Sequence, residues 1–271
     1  RALIQLKEAM REEADRRSRE KSQFLANAVH DLKQPLQAIG NALEPGRQAL
    51  EQQDIDLARR MLELATTATD LMRGQLAGML EISRLESGFS QAELSSFDVV
   101  PLLRNSLAQL AEQARRGGVE LRAPAAAEAL LVHSDPHFME RILMNLIGNG
   151  IKYRDAGKAE RPWVAVDTLA RPESLIIEVS DNGLGIAREH IASGAIFQPF
   201  FQANNRRRES EKGVGLGLSI VQAMLRLMPN HALVVHSEVG VGTRMVLEVP
   251  WADKRVRDMA VMLATPQASE G

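Results

Sequence analysis

The chain of 271 residues contains no cysteine, which excludes a disulfide framework, a thiolate nucleophile and a cysteine metal site. Aromatic residues make up only 4% of the chain, and no apolar run approaches the ~20 residues that span a bilayer. Neither charge sign prevails, because 33 Lys and Arg stand against 35 Asp and Glu. We therefore expect no contact with nucleic acid or with a membrane surface. A cytoplasmic location is compatible with these absences.

The start of the sequence lies inside a helical pattern at Arg1, which suggests a piece of a longer protein. Hydrophobic residues nevertheless amount to 45% of the chain, enough for a buried core. The length favours two parts over a single domain.

The first 90 residues follow helical periods. One apolar seam consists of Leu25, Val29, Leu32, Leu36, Ile39 and Leu43, and a second of Leu57, Met61, Leu64, Ala68, Leu71, Ile82 and Leu85. A polar break at residues 52–54, with Asp54 as the cap of the second helix, predicts an antiparallel hairpin. Two helices cannot close a core alone, so we expect a two-fold dimer that forms a four-helix bundle. Pro45 and Gly46 should kink the first helix or end it early.

From Ser95 onward the pattern changes to alternating helices and strands. Helices are predicted at 99–116, at 136–153 with Asp135 as its cap, and at about 214–227. Strands are predicted at 119–122, 130–133, 163–168, 175–180, 233–236 and 243–249. The fold class is therefore α+β: a helical hairpin followed by an α/β sandwich with helices on one face of a sheet.

The helix at 136–153 places Asn145 and Asn149 one turn apart on one face, with Lys152 one turn further. Amide oxygens ligate hard cations, and Mg²⁺ commonly bridges one protein group to nucleotide phosphates. The set therefore suits a Mg-ATP triphosphate, although two Asn on a helix can equally be surface polar residues.

Asp181 follows a predicted buried strand, and Gly183 and Gly185 come directly after it. A carboxylate at a strand end can accept a hydrogen bond from an exocyclic amine, while glycines let the backbone approach a flat base. The competing interpretation is an ordinary turn.

A third glycine-rich segment, Gly213, Gly215 and Gly217, runs into an amphipathic helix, whose free N–H groups favour phosphate. It is neither a P-loop nor a dinucleotide fingerprint, because no Gly-Lys-Ser/Thr follows and no strand directly precedes. Before it lies a basic run that consists of Arg206, Arg207, Arg208 and Lys212. This run is either a lid that covers the phosphates or a solvated loop.

These motifs occur in one order along the chain, with a Phe-rich segment at 197–201 and Gly240-Val-Gly242-Thr243 at the end. Together they resemble the nucleotide site of the GHKL ATPase superfamily (the Bergerat type). The segment Phe24-Leu-Ala-Asn-Ala-Val-His30-Asp31-Leu-Lys-Gln34-Pro35-Leu resembles the phosphoacceptor box of sensor histidine kinases, in which the hairpin also precedes the ATP domain. The resemblance covers almost all of residues 20–250.

The resemblance implies an ATP-dependent protein-histidine kinase of a two-component system. His30 would take the γ-phosphate, Asp31 would orient or deprotonate it, and the phosphoryl group would pass to an aspartate of a response regulator receiver domain, separate or fused. ATP would be bound by Asn145, Asn149, Lys152, Tyr153, Asp181, Gly183, Gly185, Lys212, Gly213, Gly215, Gly217, Leu218 and Thr243. Mg²⁺ would be held by Asn149.

The sequence departs from the family pattern at three positions. Asp31 stands where Glu is usual, Gln34 where Thr or Asn is usual, and Gly150 where Ala is usual, which mildly weakens the helix. Gln34 is the position that the family uses to remove phosphate from the regulator; the alternative is a solvated helix residue.

The residues agree with a reactive His30, because His30, Gln34, Gln37 and Asn41 form a polar stripe beside the apolar seam. Pro35 cannot bond to the Asp31 carbonyl, which loosens the helix near the imidazole. The predicted domains are a coiled-coil-like linker at 1–20, a dimerisation and phosphotransfer domain at 21–92, a catalytic ATP-binding domain at 93–252 and a tail at 253–271.

Two other functions were weighed. In gyrase-like and mismatch-repair ATPases of the superfamily, a Glu one turn before the Mg-binding Asn activates water, but that position is Asn145 here. A non-catalytic dimeric scaffold that binds nucleotide is disfavoured by the intact His30 and Asn149.

Overall fold

The computed structural model describes residues 2–88, 90–124, 128–202 and 215–255. They form two compact units, a helical unit that ends at Glu81 and an α/β unit that begins at Ile82. None of the helices described in these ranges has a stretch long and apolar enough to cross a membrane.

The helical unit consists of α1 (Ala2–Glu51) and α2 (Ile55–Glu86). Asp54 caps α2 as predicted, because its Oδ1 accepts the N–H of Leu57 at 2.9 Å. The turn between the helices is closed by the Asp54 N–H, which donates to the Ala49 carbonyl at 2.8 Å. The predicted hairpin is therefore formed by local capping chemistry.

Of the two outcomes predicted at Pro45 and Gly46, a kink or an early end of the helix, the early end is wrong, because α1 continues to Glu51. A proline inside a helix costs about 3 kcal/mol, so other contacts must offset it. Arg47, two residues on, pairs with Glu44 at 2.7 Å and also with Glu51. A side chain at Gly46 would approach Cβ of Met61 to 3.2 Å, so α2 packs closely against this part of α1.

The apolar surface of α1 separates into two neighbouring stripes with a seven-residue spacing. The first is buried within the hairpin and consists of Ala28, Pro35, Ala42 and Ala49. The second is 59–66% exposed and consists of Val29, Leu36, Leu43 and Leu50. The buried stripe was not predicted. Within the predicted seam Leu32 and Ile39 are half-buried, the other described residues are exposed in the single chain, and Leu25 is outside the described side chains.

The α/β unit is built on a five-stranded sheet with the order β2-β4-β5-β7-β6. Its strands are β2 (Glu120–Arg122), β4 (Trp163–Ala170), β5 (Ser174–Asp181), β6 (Ala232–Glu238) and β7 (Gly242–Pro250). Strands β2 and β4 run parallel, and the other neighbours are antiparallel. Strands β1 (Ser95–Asp98) and β3 (Leu131–Ser134) form a separate antiparallel pair.

Three longer helices pack on this sheet and on one another: α3 (Val99–Gly117), α4 (Pro136–Lys152) and α6 (Gly217–Leu227). Their apolar faces bury the core against inward residues such as Val166, Val179 and Leu247. The exposed and half-buried residues of β6 alternate, as expected when helices cover one face only. The predicted sandwich is confirmed.

Helix limits were predicted within a few residues where a cap fixes them. Asp98 caps α3 through the N–H of Val100, and Asp135 caps α4 through the N–H groups of His137 and Phe138. Strand β1, helix α5 (Arg188–Ala192) and the 3₁₀ turn Ala195–Phe197 were not predicted. The helix predicted at about 214–227 begins at Gly217, and residue 214 and most of the predicted tail lie outside the described residues.

Candidate nucleotide and phosphoacceptor sites

His30 lies on α1 with its side chain 71% exposed. Its Nδ1 is 3.1 Å from Oδ1 of Asp31, the neighbouring carboxylate. Gln34, Gln37 and Asn41 are exposed as well, so the predicted polar stripe faces solvent in the described helical unit. An imidazole held at Nδ1 by a carboxylate carries its proton there and presents the Nε2 lone pair outward.

The asparagine face of α4 meets the first residue of α6. Nδ2 of Asn145 donates to the Arg141 carbonyl at 2.8 Å, so its Oδ1 points away from the helix backbone. A Cβ on Gly217 would lie 2.8 Å from Oδ1 of Asn145 and 3.8 Å from Nδ2 of Asn149. Two amides therefore converge on the N-terminus of α6, where free N–H groups attract anions.

This arrangement fits Mg²⁺ bound together with phosphate. An amide oxygen is a hard ligand, and Mg²⁺ needs few protein ligands when phosphates supply the rest. Among the residues that the structure describes, no group of three His, Cys, Asp or Glu side chains is placed to hold a metal.

Lys152 and Tyr153 close the end of α4. The Lys152 ammonium donates to the Tyr153 hydroxyl at 2.9 Å and lies 4.4 Å from the centre of its ring. Tyr153 is 39% exposed, which leaves a ring face available for stacking. Its carbonyl accepts the N–H of Leu184 at 2.9 Å, so the backbone at Tyr153 is tied to the loop after β5.

Asp181 ends β5 with its carboxylate largely buried. Its Oδ1 accepts the N–H of Gly183 at 2.8 Å and that of Thr243 at 3.3 Å. Burial raises the pKa of Asp181 to about 6, against the opposing effect of these two hydrogen bonds and of the nearby Lys158 ammonium. Thr243 pairs with Asp181 across β5 and β7, so the two predicted adenine contacts lie together.

The glycines of this loop have a second use besides the predicted approach to a base. A side chain at Gly183 would run into the Tyr153 carbonyl, and one at Gly185, whose φ is +70°, would meet the Glu238 carbonyl. The loop after β5 is therefore squeezed between the end of α4 and the β6–β7 hairpin, and only glycine fits at both positions.

Gly215, at φ +72°, precedes α6, and Gly217 and the half-buried Leu218 are its first two residues. The other members of that predicted loop, Lys212 and Gly213, lie outside the described residues, as do Arg206, Arg207 and Arg208.

Two residues near Asp181 were missed by sequence reasoning. Asn182 is buried and fastens the start of β4, because its Oδ1 accepts the Trp163 N–H at 2.8 Å and its Nδ2 donates to the Arg161 carbonyl at 3.1 Å. Lys158 donates to three backbone carbonyls. The position of Asn182 beside Asp181 was a usable signal, but a lysine in a polar connection carries none.

Gly150, which helix propensity alone marks as a weakness, lies against the sheet. A Cβ there would approach Cγ2 of the buried Val164 to 2.8 Å and Cβ of Asp181 to 3.4 Å. Glycine thus allows α4 to lie close to β4 and β5. The departure from the family pattern at Gly150 has a packing cause.

We expect Gly150→Ala to be less stable than Gly148→Ala by about 1–3 kcal/mol, because overpacking outweighs the better helix propensity. Gly148 is the matched control, since a Cβ there meets nothing within 4 Å on the same helix. Urea unfolding without nucleotide measures both, and two variants of equal stability would contradict the packing argument.

The raised pKa of Asp181 predicts that nucleotide affinity falls as the pH drops through about 6. The carboxylate accepts from an adenine amine in its ionised form, and protonation below its pKa weakens that acceptor. Calorimetric titration with ADP between about pH 5 and pH 8 measures the effect. Because the phosphates also titrate, the ratio of parent to Asp181→Asn affinity is the relevant quantity, and a ratio independent of pH would contradict the assignment.

Asp181→Asn also provides its own folding control. A carboxyl group whose pKa is raised by folding stabilises the folded state at pH values below the pKa that the group has in the unfolded chain. This contribution is lost as the pH rises through the folded-state pKa of about 6. Near neutral pH the substitution removes a buried charge, so its melting temperature should be at least as high as the parent's.

Comparison with known protein families places both units. Residues 134–253 match the family described as "Histidine kinase-, DNA gyrase B-, and HSP90-like ATPase". Residues 20–88 match the family described as "His Kinase A (phospho-acceptor) domain".

Two curated relatives are similar over most of the chain. An uncharacterized sensor-like histidine kinase of Rhizobium meliloti is 31% identical over 231 residues, which is 85% of this chain and 43% of that protein. The autoinducer 2 sensor kinase/phosphatase LuxQ of Vibrio cholerae is 30% identical over 247 residues, 90% of this chain and 28% of that protein. The chain thus spans less than half the length of these two relatives.

Solved structures of histidine kinases also match the chain. Full-length ShkA in complex with AMPPNP matches with a TM-score of 0.59 and 25% identity over 73% of this chain and 39% of that chain. The histidine kinase AdeS of Acinetobacter baumannii has a TM-score of 0.59 and 17% identity over 83% of this chain and 98% of that chain, a likeness of fold.

Proposed function

Because the chain belongs to the sensor histidine kinases, with a phosphoacceptor domain followed by an ATPase domain, we propose that it phosphorylates its own His30 from Mg-ATP and passes the phosphoryl group to an aspartate of a receiver domain. The observation that carries the proposal is the exposed His30 with Nδ1 held by Asp31. The first test is transfer of label from the γ-phosphate to the chain as an acid-labile, base-stable group.

The chemistry at His30 requires a neutral imidazole with a free lone pair. Nδ1–H donates to the Asp31 carboxylate, so the lone pair lies on Nε2. Nε2 attacks the γ-phosphorus as the bond from that phosphorus to the bridging oxygen of ADP breaks. Positive charge grows on the ring during the attack, and Asp31 stabilises it or takes the Nδ1 proton.

Phosphoryl transfer of this kind depends mainly on positioning and on charge neutralisation. We assign the triphosphate to the space between the asparagine face of α4 and the N-terminus of α6. There Asn145 and Asn149 lie beside Gly217, and the backbone N–H groups of the first turn of α6 would receive phosphate oxygens, with Lys152 as a further cation. A Mg²⁺ ion held by Asn149 would neutralise phosphate charge when bound.

The adenine base is assigned to the pocket between Tyr153 and Thr243. Asp181 would accept the exocyclic amine, since its carboxylate is fixed by two backbone N–H groups. Tyr153 would flank the ring of the base with its exposed face.

Transfer to a protein group is favoured over hydrolysis by the residue at 145. The hydrolases of the superfamily place a Glu there as general base, whereas Asn145 cannot ionise and its Nδ2 is engaged by the Arg141 carbonyl. A water molecule in this site therefore lacks a base at that position.

The kinase is proposed to act as a homodimer through its helical hairpin. The second stripe on α1, Val29, Leu36, Leu43 and Leu50, recurs every seven residues and is exposed in the single chain. A stripe with this period fits a neighbouring helix, and a two-fold axis would bury it in a four-helix bundle.

Gln34 is proposed to support removal of phosphate from the partner's aspartate. It is exposed one helical turn beyond His30, and its carboxamide offers a donor and an acceptor that hold water in line. We expect Gln34→Ala to autophosphorylate normally but to dephosphorylate the regulator about 10-fold more slowly.

The matched control for that test is Gln37→Ala, an exposed glutamine on the same stripe. Purified phosphorylated regulator is mixed with each variant, ADP and Mg²⁺, and loss of label is followed. If Gln34→Ala and Gln37→Ala gave the parent's decay rate, Gln34 would be an ordinary solvated residue.

A further inference from the structure

Lys158 lies in the connection between α4 and β4, far along the chain from the residues that it contacts. A tight turn presents it, because Oδ1 of Asp155 accepts the Gly157 N–H at 2.9 Å. The half-buried side chain then donates from Nζ to the carbonyls of Asn182 at 2.5 Å, Gly183 at 3.1 Å and Val241 at 2.7 Å.

These three carbonyls lie beyond the ends of the strand ladders. Asn182 and Gly183 follow the last residue of β5, and Val241 lies in the turn between β6 and β7. Asn182 and Gly183 are buried, so their carbonyls need donors, whereas Val241 is exposed. Three carbonyl dipoles that point at one spot repel each other without a cation between them. An ammonium group has three donors and one positive charge, so Lys158 meets both needs.

The two segments that Lys158 joins each carry part of the adenine pocket. Asp181 is the last residue of β5 and Gly183 belongs to the loop after it, whereas Thr243 is the second residue of β7, just after the Val241 turn. Asp181 and Thr243 face each other in the β5–β7 ladder, and the additional link from the Thr243 N–H to Oδ1 of Asp181 is long at 3.3 Å. The ammonium adds a charge-assisted link beside it.

We infer that Lys158 is a positioning residue of the nucleotide site: a cation that gathers the carbonyls of Asn182, Gly183 and Val241 and so fixes the loop after β5 against the β6–β7 turn, beside Asp181 and Thr243. This inference rests on the proposed function, which assigns those two residues to the base. Lys158 contacts no reacting group, so it acts on nucleotide affinity and leaves the rate at saturating ATP unchanged.

The test compares Lys158→Met with Lys254→Met, an exposed lysine of the same unit. We expect Lys158→Met to lose about 10-fold or more in affinity for ADP by calorimetry, the size that a lost charge-assisted hydrogen bond brings. The same factor should apply to a non-hydrolysable ATP analogue, since the effect lies at the base. In autophosphorylation, KM for ATP should rise with kcat unchanged.

A second variant tests whether an added cation restores ADP affinity, a result that a purely structural role of the side chain does not predict. Lys158→Ala opens a space among the three carbonyls, and added ammonium or methylammonium should restore ADP affinity there, whereas sodium at equal ionic strength should not. Lys158→Gln replaces Lys158→Met if the latter loses its cooperative melting transition, and it too must bind ADP more weakly.

The possible outcomes distinguish a failure of the positioning role of Lys158 from a failure of the proposed nucleotide site. Parental ADP affinity in the Lys158 variants, a larger loss for the ATP analogue than for ADP, or a lower kcat at unchanged KM would overturn the positioning role while leaving the kinase intact. A parent chain that binds no ADP would instead overturn the proposed nucleotide site itself.

Discussion

His30→Gln abolishes incorporation of label from the γ-phosphate of ATP and leaves ADP affinity and the melting temperature at the parent's values. Gln is similar in size to His and equally polar, and His30 is exposed, so the fold loses no packing. It has no ring nitrogen with a free lone pair, so the nucleophile is gone. The expected effect is complete, because no neighbouring side chain on the stripe can replace an imidazole.

The matched control for this substitution is His236→Gln, an exposed histidine on β6. It should incorporate label as the parent does. Label retained on His30→Gln, or lost equally on His236→Gln, would place the phosphoacceptor elsewhere in the chain.

Asn149→Ala is the second large effect that we expect, with Mg²⁺-dependent autophosphorylation slower by about 100-fold. The substitution removes the amide that is placed to ligate the cation beside the phosphates, while the apolar face of α4 stays packed. Asn149→Asp should also lose activity, because it brings a negative charge to the triphosphate.

Asn105→Ala, an exposed asparagine on α3, serves as the control for a general effect of losing an amide. Calorimetry with and without Mg²⁺ separates binding of the nucleotide from the contribution of the cation. Binding of ADP without the cation should change little in Asn149→Ala, whereas the gain in affinity from Mg²⁺ should disappear. Parental Mg-ATP affinity would show that the cation is held by other groups.

Local chemistry explains what could be predicted from the sequence. Asp54, Asp98 and Asp135 each fix the start of a helix through contacts within three residues, so capping rules locate those helices. The order of the motifs along the chain predicted which side chains share a site, and Asp181 and Thr243 do lie together on neighbouring strands.

Contacts between residues far apart in the chain explain which features could not be predicted from the sequence. The period of α1 cannot tell which of two adjacent stripes faces its own hairpin partner, so Ala42 is buried and Leu43 exposed. Pro45 lies inside α1 at an exposed position while α2 packs against the neighbouring Gly46, and Gly150 is needed because Val164 lies opposite. Lys158 reaches the Val241 carbonyl 83 residues away, and no local pattern marks such a contact.

The most direct test of the kinase assignment is to map the phosphoryl group after the parent chain has been incubated with Mg-ATP. Peptide mass spectrometry under basic conditions should place it on the peptide that contains His30, and acid treatment should remove it. The alternative result is inorganic phosphate released by the chain with no phosphoryl group on that peptide, which would make the protein an ATP hydrolase and contradict phosphoryl transfer to His30.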